Sequence, residues 1–186
     1  MEFFPMLEFG WLNGWLLLVI FFGIFGVIVL TCPKEVIARL YEEEEWKKRG
    51  IFLKITGLIA VLFFYILFIL TPLKIGSIEF LIGIIIFAIG TVGMAMALLS
   101  FKNAPLDKPI TSGLYRISRN PQMLTIYIAF LGICLAIGSG IELIILGFSI
   151  IGGHFRILGE ERKLLEQYGE SYEEYKNKIP RYFLFF

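Results

Sequence analysis

The stretch Gly113-Leu114-Tyr115-Arg116-Ile117-Ser118-Arg119-Asn120-Pro121 is a polar turn with two arginines, placed between long apolar runs. A second polar group follows the next apolar runs and contains His154, Arg156, Glu160 and Glu161. Ionisable residues beside or within a membrane are costly, so they tend to be functional or paired. If both groups lie on the same side of a membrane, they can form one site.

The composition is that of a membrane protein. Of the 186 residues, 58% are hydrophobic, and the mean hydropathy is +0.80. A helix needs roughly 20 apolar residues to cross about 30 Å of hydrocarbon. Five runs meet or approach that length, so we predict an all-α membrane protein with five transmembrane helices, at 11–30, 55–70, 80–100, 121–137 and 143–155. The last two form a short helical hairpin around residues 138–142.

The placement of lysine and arginine predicts the orientation. Residues 1–10 and the tip of the hairpin contain neither, and the loop after the second helix contains only Lys74. The other loops and the tail are basic, so we predict that the N-terminus lies outside and the C-terminus in the cytoplasm. The first run has no basic segment before it and exceeds the apolar part of a signal peptide, so we expect it to be retained.

Several classes of function are disfavoured. The net charge is +1 and basic residues are matched locally by glutamate, so nucleic acid is not an expected partner. Cys32 and Cys134 lie at different depths and are not expected to pair. His154 is the only histidine, and no cysteine has metal-ligand spacing around it. We therefore predict no metal site and a hydrogen-bonded packing role for His154.

The chain is predicted to be one domain, residues 1–186, in two parts. Residues 1–75 hold the first two spans and an interfacial helix, 33–50, in which glutamates precede lysines or arginine by four residues. Residues 76–186 hold the other spans, the polar turn and a helical tail. Small residues in the third helix predict close helix packing, at Gly83, Gly90, Gly93 and Ala97.

The tail is predicted to contain two short helices between Glu160 and Ile179. Gly169 ends the first, and Ser171 with Glu174 forms a capping-box pattern that starts the second. The aromatic ending, residues 180–186, is predicted to be an interfacial anchor.

Arg156 and Glu160 lie four residues apart on one predicted helix. The guanidinium can hold a carboxylate or phosphate with two hydrogen bonds, and Glu160 can hold the arginine or accept a proton. A structural salt bridge at a helix end is the alternative. In the turn, Asn120 is predicted to cap a helix that begins at Pro121. That helix start suits an anionic or zwitterionic ligand, and the alternative is a loop whose arginines only fix orientation.

Both polar groups resemble one known family. The stretch from Gly113 to Pro121 is similar to the G-x-Y-x-x-x-R-[HN]-P motif of integral-membrane methyltransferases, which include isoprenylcysteine carboxyl methyltransferases and phospholipid methyltransferases. The second group agrees in order and spacing, with Arg156-x-x-x-Glu160-Glu161, Tyr168-Gly169, Tyr172-x-x-Tyr175 and Ile179-Pro180-Arg181. The resemblance covers residues 100–183.

The resemblance implies that S-adenosylmethionine binds between the turn and the tail on the cytoplasmic side. It implies that Arg156 and Glu160 act at the substrate end and that Glu161 completes an acidic pair used for the cofactor. The remaining implied cofactor residues are Asp107, Lys108, Pro109, Ile110, Tyr115, Asn120, Pro121, Gln122 and Met123.

The resemblance leaves the acceptor open. Carboxyl-methylating members usually have histidine where Asn120 stands and an aromatic residue where Met123 stands. The expected reaction is carboxyl O-methylation of an isoprenylcysteine-type acceptor, with phospholipid N-methylation or methylation of a small thiol or amine as alternatives. A non-catalytic lipid-binding module is the alternative of a different class. The expected partners are a lipophilic substrate and membrane lipids, and Gly10-x-x-x-Gly14 permits helix pairing between molecules.

Overall fold

The computed structural model describes residues 1–40 and 51–183, which fold into seven α-helices and one short 3₁₀ helix, Gly113–Arg116. No strand occurs in this part of the chain, and only two isolated bridges, Glu2–Ser139 and Asn13–Pro72, pair extended residues. The predicted all-α fold is therefore confirmed. The helices are α1 (Trp15–Leu30), α2 (Lys34–Leu40), α3 (Ile51–Leu70), α4 (Ile78–Lys102), α5 (Pro121–Ile137), α6 (Gly140–Tyr168) and α7 (Glu170–Lys178).

The helices α4 and α5 pack most extensively, because small residues let their backbones meet. A Cβ on Gly90 would lie 2.6 Å from the Cα of Ala129, and one on Gly132 would lie 2.6 Å from the Cα of Phe87. Real side chains do not approach this closely, so the packing requires glycine at both positions. The predicted packing role of the small residues in α4 is confirmed.

Phe130 on α5 joins three helices into the core. Its ring stacks on Phe68 of α3 at 5.9 Å between centroids, and it also meets Phe64 at 6.0 Å and Phe21 of α1 at 5.5 Å. Aromatic pairs at these separations add to the free energy gained from area burial. The core therefore ties α1 and α3 to the α4–α5 pair.

A tight turn joins α5 to α6. Gly138 has φ +67°, and the Ser139 hydroxyl accepts a hydrogen bond from the backbone N–H of Glu142 at 3.5 Å. The N-terminal segment covers this turn, because the Glu2 N–H donates to Gly138 O at 2.9 Å and the Gly140 N–H donates to Glu2 O at 2.8 Å. The two helices run antiparallel from this turn, because Gly153 of α6 packs beside Met123 and Tyr127 of α5 and the Tyr127 hydroxyl donates to Ser149 O.

The tail differs from the prediction in two ways. Helix α6 continues without a break from the fifth apolar run through the polar residues to Tyr168, so the separate first tail helix was wrong. Gly169, with φ +53°, ends α6 as predicted. Helix α7 then begins at Glu170, and the Ser171 hydroxyl donates to Tyr168 O at 2.9 Å. The predicted capping box is wrong, because Ser171 is already inside the helix.

Two helices, α4 and α6, are long and apolar enough to cross a membrane. Within the described ranges, three further apolar stretches are shorter, namely Trp15–Leu30, Ile55–Leu70 and Pro121–Ile137. Length and composition thus support two of the five predicted spans directly.

Two smaller predictions concern α1 and α2. Gly14 packs inside the protein, where a Cβ would lie 2.8 Å from Phe68 O. It therefore does not offer an exposed face for helix pairing between molecules. Helix α2 falls within the predicted interfacial helix. Residues 41–50, with the predicted glutamate–lysine pairs, lie outside the described residues.

The two cysteines, Cys32 and Cys134, are both free.

Candidate active site

The polar turn is held in one conformation by its glycine and its tyrosine. Gly113 has φ +56°, which glycine adopts without steric cost. The 3₁₀ helix follows, with the Tyr115 N–H donating to Ser112 O at 3.1 Å, and the Tyr115 side chain is buried. Helix α5 then begins at Pro121, in the first-turn position that the sequence predicts. The turn therefore delivers residues 118–121 to the start of α5.

Asn120 occupies the predicted capping position but makes no cap hydrogen bond in the described structure. Its side-chain nitrogen instead donates to Glu161 Oε1 at 3.3 Å and to Arg181 O at 3.4 Å. The capping interaction was thus wrong, and the amide joins the turn to α6 and to the tail. The backbone N–H of Asn120 itself donates to Ser118 Oγ at 3.1 Å.

Glu161 is the centre of a buried ionic cluster. Its carboxylate accepts hydrogen bonds from Arg181, with Nη2 to Oε2 at 2.9 Å and Nε to both oxygens at 3.1 Å. Arg119 Nη2 lies 3.6 Å from Glu161 Oε1, and the Arg119 side chain is only 3% exposed. The hydrogen bond with Glu161 raises the pKa of Arg181. We call Arg119, Asn120, Glu161 and Arg181 the ionic cluster.

The residues after α7 cross the cluster and bind both halves of the site. The Arg119 N–H donates to Pro180 O at 3.0 Å, and Ser118 Oγ donates to Arg181 O at 2.9 Å. Tyr182 Oη and His154 Nδ1 form a hydrogen bond of 2.6 Å. We call residues 180–182 the strap. The hydrogen-bonded role of His154 is confirmed, while the strap, predicted as part of an interfacial anchor, binds the turn and α6.

Two tyrosines of α7 pack against the turn. The hydroxyl of Tyr175 donates to Tyr115 O at 2.7 Å, and the rings of Tyr175 and Tyr172 lie 6.0 Å apart. Burial raises the pKa of both hydroxyls. Glu161 raises the pKa of Tyr172 further, while Arg119 and Arg181 partly offset that effect. Both hydroxyls are therefore neutral at physiological pH.

The predicted substrate pair lies on the outer side of the same helix. Arg156 Nε donates to Glu160 Oε1 at 2.9 Å, and the two side chains are 44% and 43% exposed. Tyr127 of α5 lies close enough to both to interact electrostatically, and its hydroxyl donates to Ser149 O at 3.3 Å. The Arg156–Glu160 pair is thus formed and accessible. It lies near Tyr127 of α5, and Glu160 directly precedes Glu161 of the ionic cluster.

The other predicted cofactor residues divide by burial. Pro109, Ile110 and Pro121 are buried around the turn, whereas Asp107 and Lys108 are exposed on the loop before it. The side-chain nitrogen of Gln122 is buried and has no hydrogen-bond partner within residues 1–40 and 51–183.

Met123 lies against α6, where its Cε would be 3.4 Å from a Cβ on Gly153. A groove of about 270 Å³ runs between the turn and α7 and is lined by Thr111, Arg116, Ser171, Glu174, Tyr175, Lys178 and Ile179.

Sequence reasoning missed the buried arginine. Arg119 stands inside the quoted motif, but a turn arginine is ordinarily exposed, so the sequence pattern does not reveal its burial. Arg181 and the α7 tyrosines were likewise not predicted as site residues, although they stand in the second motif block. No group of three potential metal ligands occurs among the residues described.

Comparison with known proteins assigns the family. The sequence model of the phospholipid methyltransferase family matches residues 78–171, which is half of the chain and runs from the start of α4 into α7. The protein-S-isoprenylcysteine O-methyltransferase of Schizosaccharomyces pombe is 32% identical over 74 residues. The matched segment covers 38% of this chain and 30% of that protein. No solved structure matches the chain.

The two long apolar helices and these matches place the chain within a family of membrane methyltransferases. The chain belongs to the phospholipid methyltransferase family. The matched segment contains the polar turn, the Arg156–Glu160 pair and Glu161, and it ends before the strap.

Proposed function

We propose that the protein transfers a methyl group from S-adenosylmethionine to a lipophilic acceptor, with the carboxylate of an isoprenylcysteine-type compound as the preferred acceptor. The observation that carries this proposal is the ionic cluster, which joins both motif blocks into one site through Asn120 and Glu161. The partial likeness to an isoprenylcysteine O-methyltransferase supports the choice of acceptor.

The residues present fit the proposed cofactor. Buried donor nitrogens of Arg119 and Gln122 have no partner in the described structure, so the site has unused capacity for an anionic ligand. The aromatic rings of Tyr115, Tyr172 and Tyr175 are buried beside it, and such rings attract a cationic sulfonium. When bound, S-adenosylmethionine supplies a methyl group activated by the positive sulfur.

Arg156 and Glu160 account for the acceptor end. Arg156 orients a carboxylate through paired hydrogen bonds, and the acceptor oxygen bonds to the methyl carbon as the carbon–sulfur bond breaks. No proton moves in that reaction, so Glu160 serves to hold Arg156. An amine acceptor must lose a proton, and Glu160 is then the group that receives it.

The position of the pair suits an acceptor that stays in the membrane. Arg156 follows the exposed apolar face of α6, which includes Phe148, Ile151 and Phe155. An acceptor with a long hydrocarbon chain can lie along this face and place its polar end beside the guanidinium. The ionic cluster lies on the inner side of the same helix, so donor and acceptor approach from different sides.

The first experiment measures binding of S-adenosylhomocysteine by calorimetry in a non-ionic detergent. We expect saturable binding and a raised unfolding temperature, because a ligand that binds the folded state stabilises it. Absence of both heat and thermal stabilisation would contradict the enzyme proposal and favour a non-catalytic lipid-binding module.

The second experiment identifies the acceptor with methyl-labelled S-adenosylmethionine. A prenylcysteine analogue and phosphatidylethanolamine are compared at equal mole fraction in detergent or lipid. We expect label on the prenylcysteine carboxylate. Label on phosphatidylethanolamine alone would support the second candidate, phospholipid N-methylation, which the family match favours. Mild base distinguishes the two products, because it hydrolyses a methyl ester and leaves an N-methyl group intact.

Variants test the roles of the substrate pair. Arg156→Ala and Glu160→Ala are expected to reduce turnover by at least about 100-fold, the lower end for a lost catalytic interaction, while S-adenosylhomocysteine affinity changes little. Arg162→Ala and Glu166→Ala are matched controls, because these exposed residues have the same order and spacing on α6. Lost cofactor affinity with retained turnover would contradict the assignment.

A further inference from the structure

Arg119 is a buried arginine whose hydrogen-bonding capacity is largely unused. Its side chain is 3% exposed, and its Nε and Nη1 atoms have no hydrogen-bond partner within residues 1–40 and 51–183. The third nitrogen, Nη2, lies 3.6 Å from Glu161 Oε1, too far for a strong hydrogen bond. Buried donors are almost always satisfied in folded proteins, so unsatisfied ones need an explanation.

The charges of the ionic cluster do not balance. Arg119 and Arg181 carry two positive charges, and Glu161 supplies one negative charge that Arg181 already binds with three short contacts. The hydroxyl of Tyr172 lies within hydrogen-bonding reach of the Arg119 side chain, but burial raises the pKa of Tyr172, so the hydroxyl stays neutral and provides no compensating charge. One positive charge therefore remains uncompensated in the cluster, which is costly in a buried setting.

A single bound oxyanion would supply both the missing negative charge and a hydrogen-bond acceptor for the unpaired donors. The side-chain nitrogen of Gln122 is a further unsatisfied buried donor, three residues after Arg119 at the start of α5. The start of this 17-residue helix also favours negative charge. A planar carboxylate matches the edge of the Arg119 guanidinium that carries Nε and Nη2, where Nε is unpaired and Nη2 has only the 3.6 Å contact with Glu161, because two parallel hydrogen bonds can form there.

We propose that Arg119, assisted by Gln122, binds the carboxylate of the amino-acid part of the methyl donor. This inference rests on the proposed function, since it assigns one end of the proposed cofactor. It separates the two arginine sites, with Arg156 for the acceptor and Arg119 for the donor. The strap lies against the turn at Arg119, whose backbone N–H donates to Pro180 O, and the 3% exposure of the Arg119 side chain means that its surroundings must open before the ligand reaches it.

The test compares two ligands that differ in the carboxylate alone, S-adenosylhomocysteine and its decarboxylated analogue S-adenosyl-3-thiopropylamine. Calorimetry is done in a non-ionic, phosphate-free detergent without acceptor, so the ligand is the only source of an oxyanion. We expect the wild-type protein to prefer S-adenosylhomocysteine by about 10-fold to 100-fold, the range for a charge-assisted hydrogen bond. Equal affinities would overturn the inference.

Substitutions locate that preference. Arg119→Gln should bind the two ligands with affinities within about three-fold of each other, because the charge that reads the carboxylate is gone. Arg119→Lys keeps the charge without the planar fork and should retain a smaller preference. The control Arg162→Gln changes an exposed arginine of α6 and should keep the wild-type preference. A full preference in Arg119→Gln would overturn the assignment.

Three results keep the two proposals apart. If wild-type protein binds neither ligand, the proposed function fails. If it binds both equally, the function stands and the role of Arg119 fails. If Arg119→Gln does not fold, the wild-type comparison and Arg119→Lys decide. An Arg119→Lys protein that keeps the full preference for S-adenosylhomocysteine would show that the planar guanidinium of Arg119 does not recognise the carboxylate.

Discussion

Two adjacent glutamates of α6 have different surroundings because successive helical residues point about 100° apart. Glu160 faces outward and pairs with Arg156, whereas Glu161 is 7% exposed and faces Arg119 and Arg181. The R-x-x-x-E-E spacing thus places the two carboxylates on adjoining faces of the helix, one accessible and one buried. A single residue step separates the proposed acceptor end from the proposed donor end.

Glu161 is expected to be essential for stability as well as for the site. Glu161→Gln keeps the size of the side chain but leaves two guanidiniums without their carboxylate, so the free energy of unfolding should fall by about 3 kcal/mol. Glu166→Gln on the exposed face of the same helix is the control and should change it by less than about 0.5 kcal/mol. Chemical denaturation in detergent measures both. Equal effects would contradict a central role for the ionic cluster.

The buried tyrosines of α7 predict how stability depends on alkaline pH. Because burial raises the pKa of Tyr172 and Tyr175, the folded state retains protons that the unfolded state releases. Their contribution to stability is fully present below about pH 10, the pKa of an unperturbed tyrosine, and decreases as pH rises beyond it. The midpoint temperature of unfolding of the wild-type protein should therefore decrease as the pH rises above about 10.

Substitution of either tyrosine should flatten that decline. Tyr175→Phe also loses the hydrogen bond to Tyr115 O, so we expect a loss of about 1 kcal/mol at neutral pH. Tyr168→Phe is the matched control, because its hydroxyl bonds to Leu106 O in an exposed position. An identical pH profile for Tyr175→Phe and the wild-type protein would contradict this explanation.

At the scale of helices, the sequence predicted both ends of α5 but not those of α6, which extends beyond the predicted 143–155 in both directions. Residues 121–137 begin with a proline suited to the first turn and end before a glycine, so chemistry marks both boundaries. The end of the fifth apolar run has no such signal. Backbone hydrogen bonding does not require apolar side chains, so α6 continues through Arg156 and Glu161 until Gly169 stops it.

Contacts between distant elements were less predictable than the elements themselves. The motifs indicated that the turn and the tail meet, but the strap is positioned by backbone acceptors at Pro180 and Arg181, which no sequence pattern identifies. Asn120 shows the same limit. A helix-capping residue was the local expectation, and a distant carboxylate bound its side chain instead.

The α4–α5 interface predicts a marked effect of one methyl group. Gly90→Ala would place a Cβ 2.6 Å from Ala129 Cα, so the helices must separate, at a cost of about 1–3 kcal/mol. Gly23→Ala on α1 is the control, because nothing among the described residues lies within 4 Å of a Cβ there. We expect Gly23→Ala to be neutral or to stabilise by up to about 1 kcal/mol. Thermal unfolding in detergent compares them, and equal losses would contradict backbone contact as the reason for Gly90.

At the scale of the whole molecule, the polar contacts concentrate at opposite ends of the bundle. One end carries the hairpin turn with the N-terminal segment packed on it, where Glu2 bonds to Gly138 and Gly140. The other end carries the ionic cluster and the strap. Between them, α4 and α6 supply apolar lengths that can cross a membrane. The molecule therefore has one candidate catalytic end, and its orientation decides which compartment supplies the donor.

We propose that this end faces the cytoplasm, since the basic residues concentrate on its side. The test uses a background with Cys32→Ser and Cys134→Ser, in which one cysteine is introduced at Ile75 or at Asn177. Both positions are exposed, and they lie on opposite sides of the predicted topology. An impermeant maleimide added to intact cells should label Ile75→Cys and leave Asn177→Cys unmodified until the membrane is permeabilised.

The two positions control for each other, because membrane damage would label both and a buried thiol would be labelled in neither condition. Inverted vesicles should reverse the pattern, with Asn177→Cys labelled first. The opposite result in intact cells would place the ionic cluster outside. It would also contradict the proposed function, because the donor S-adenosylmethionine is supplied from the cytoplasm and a site outside would have no access to it.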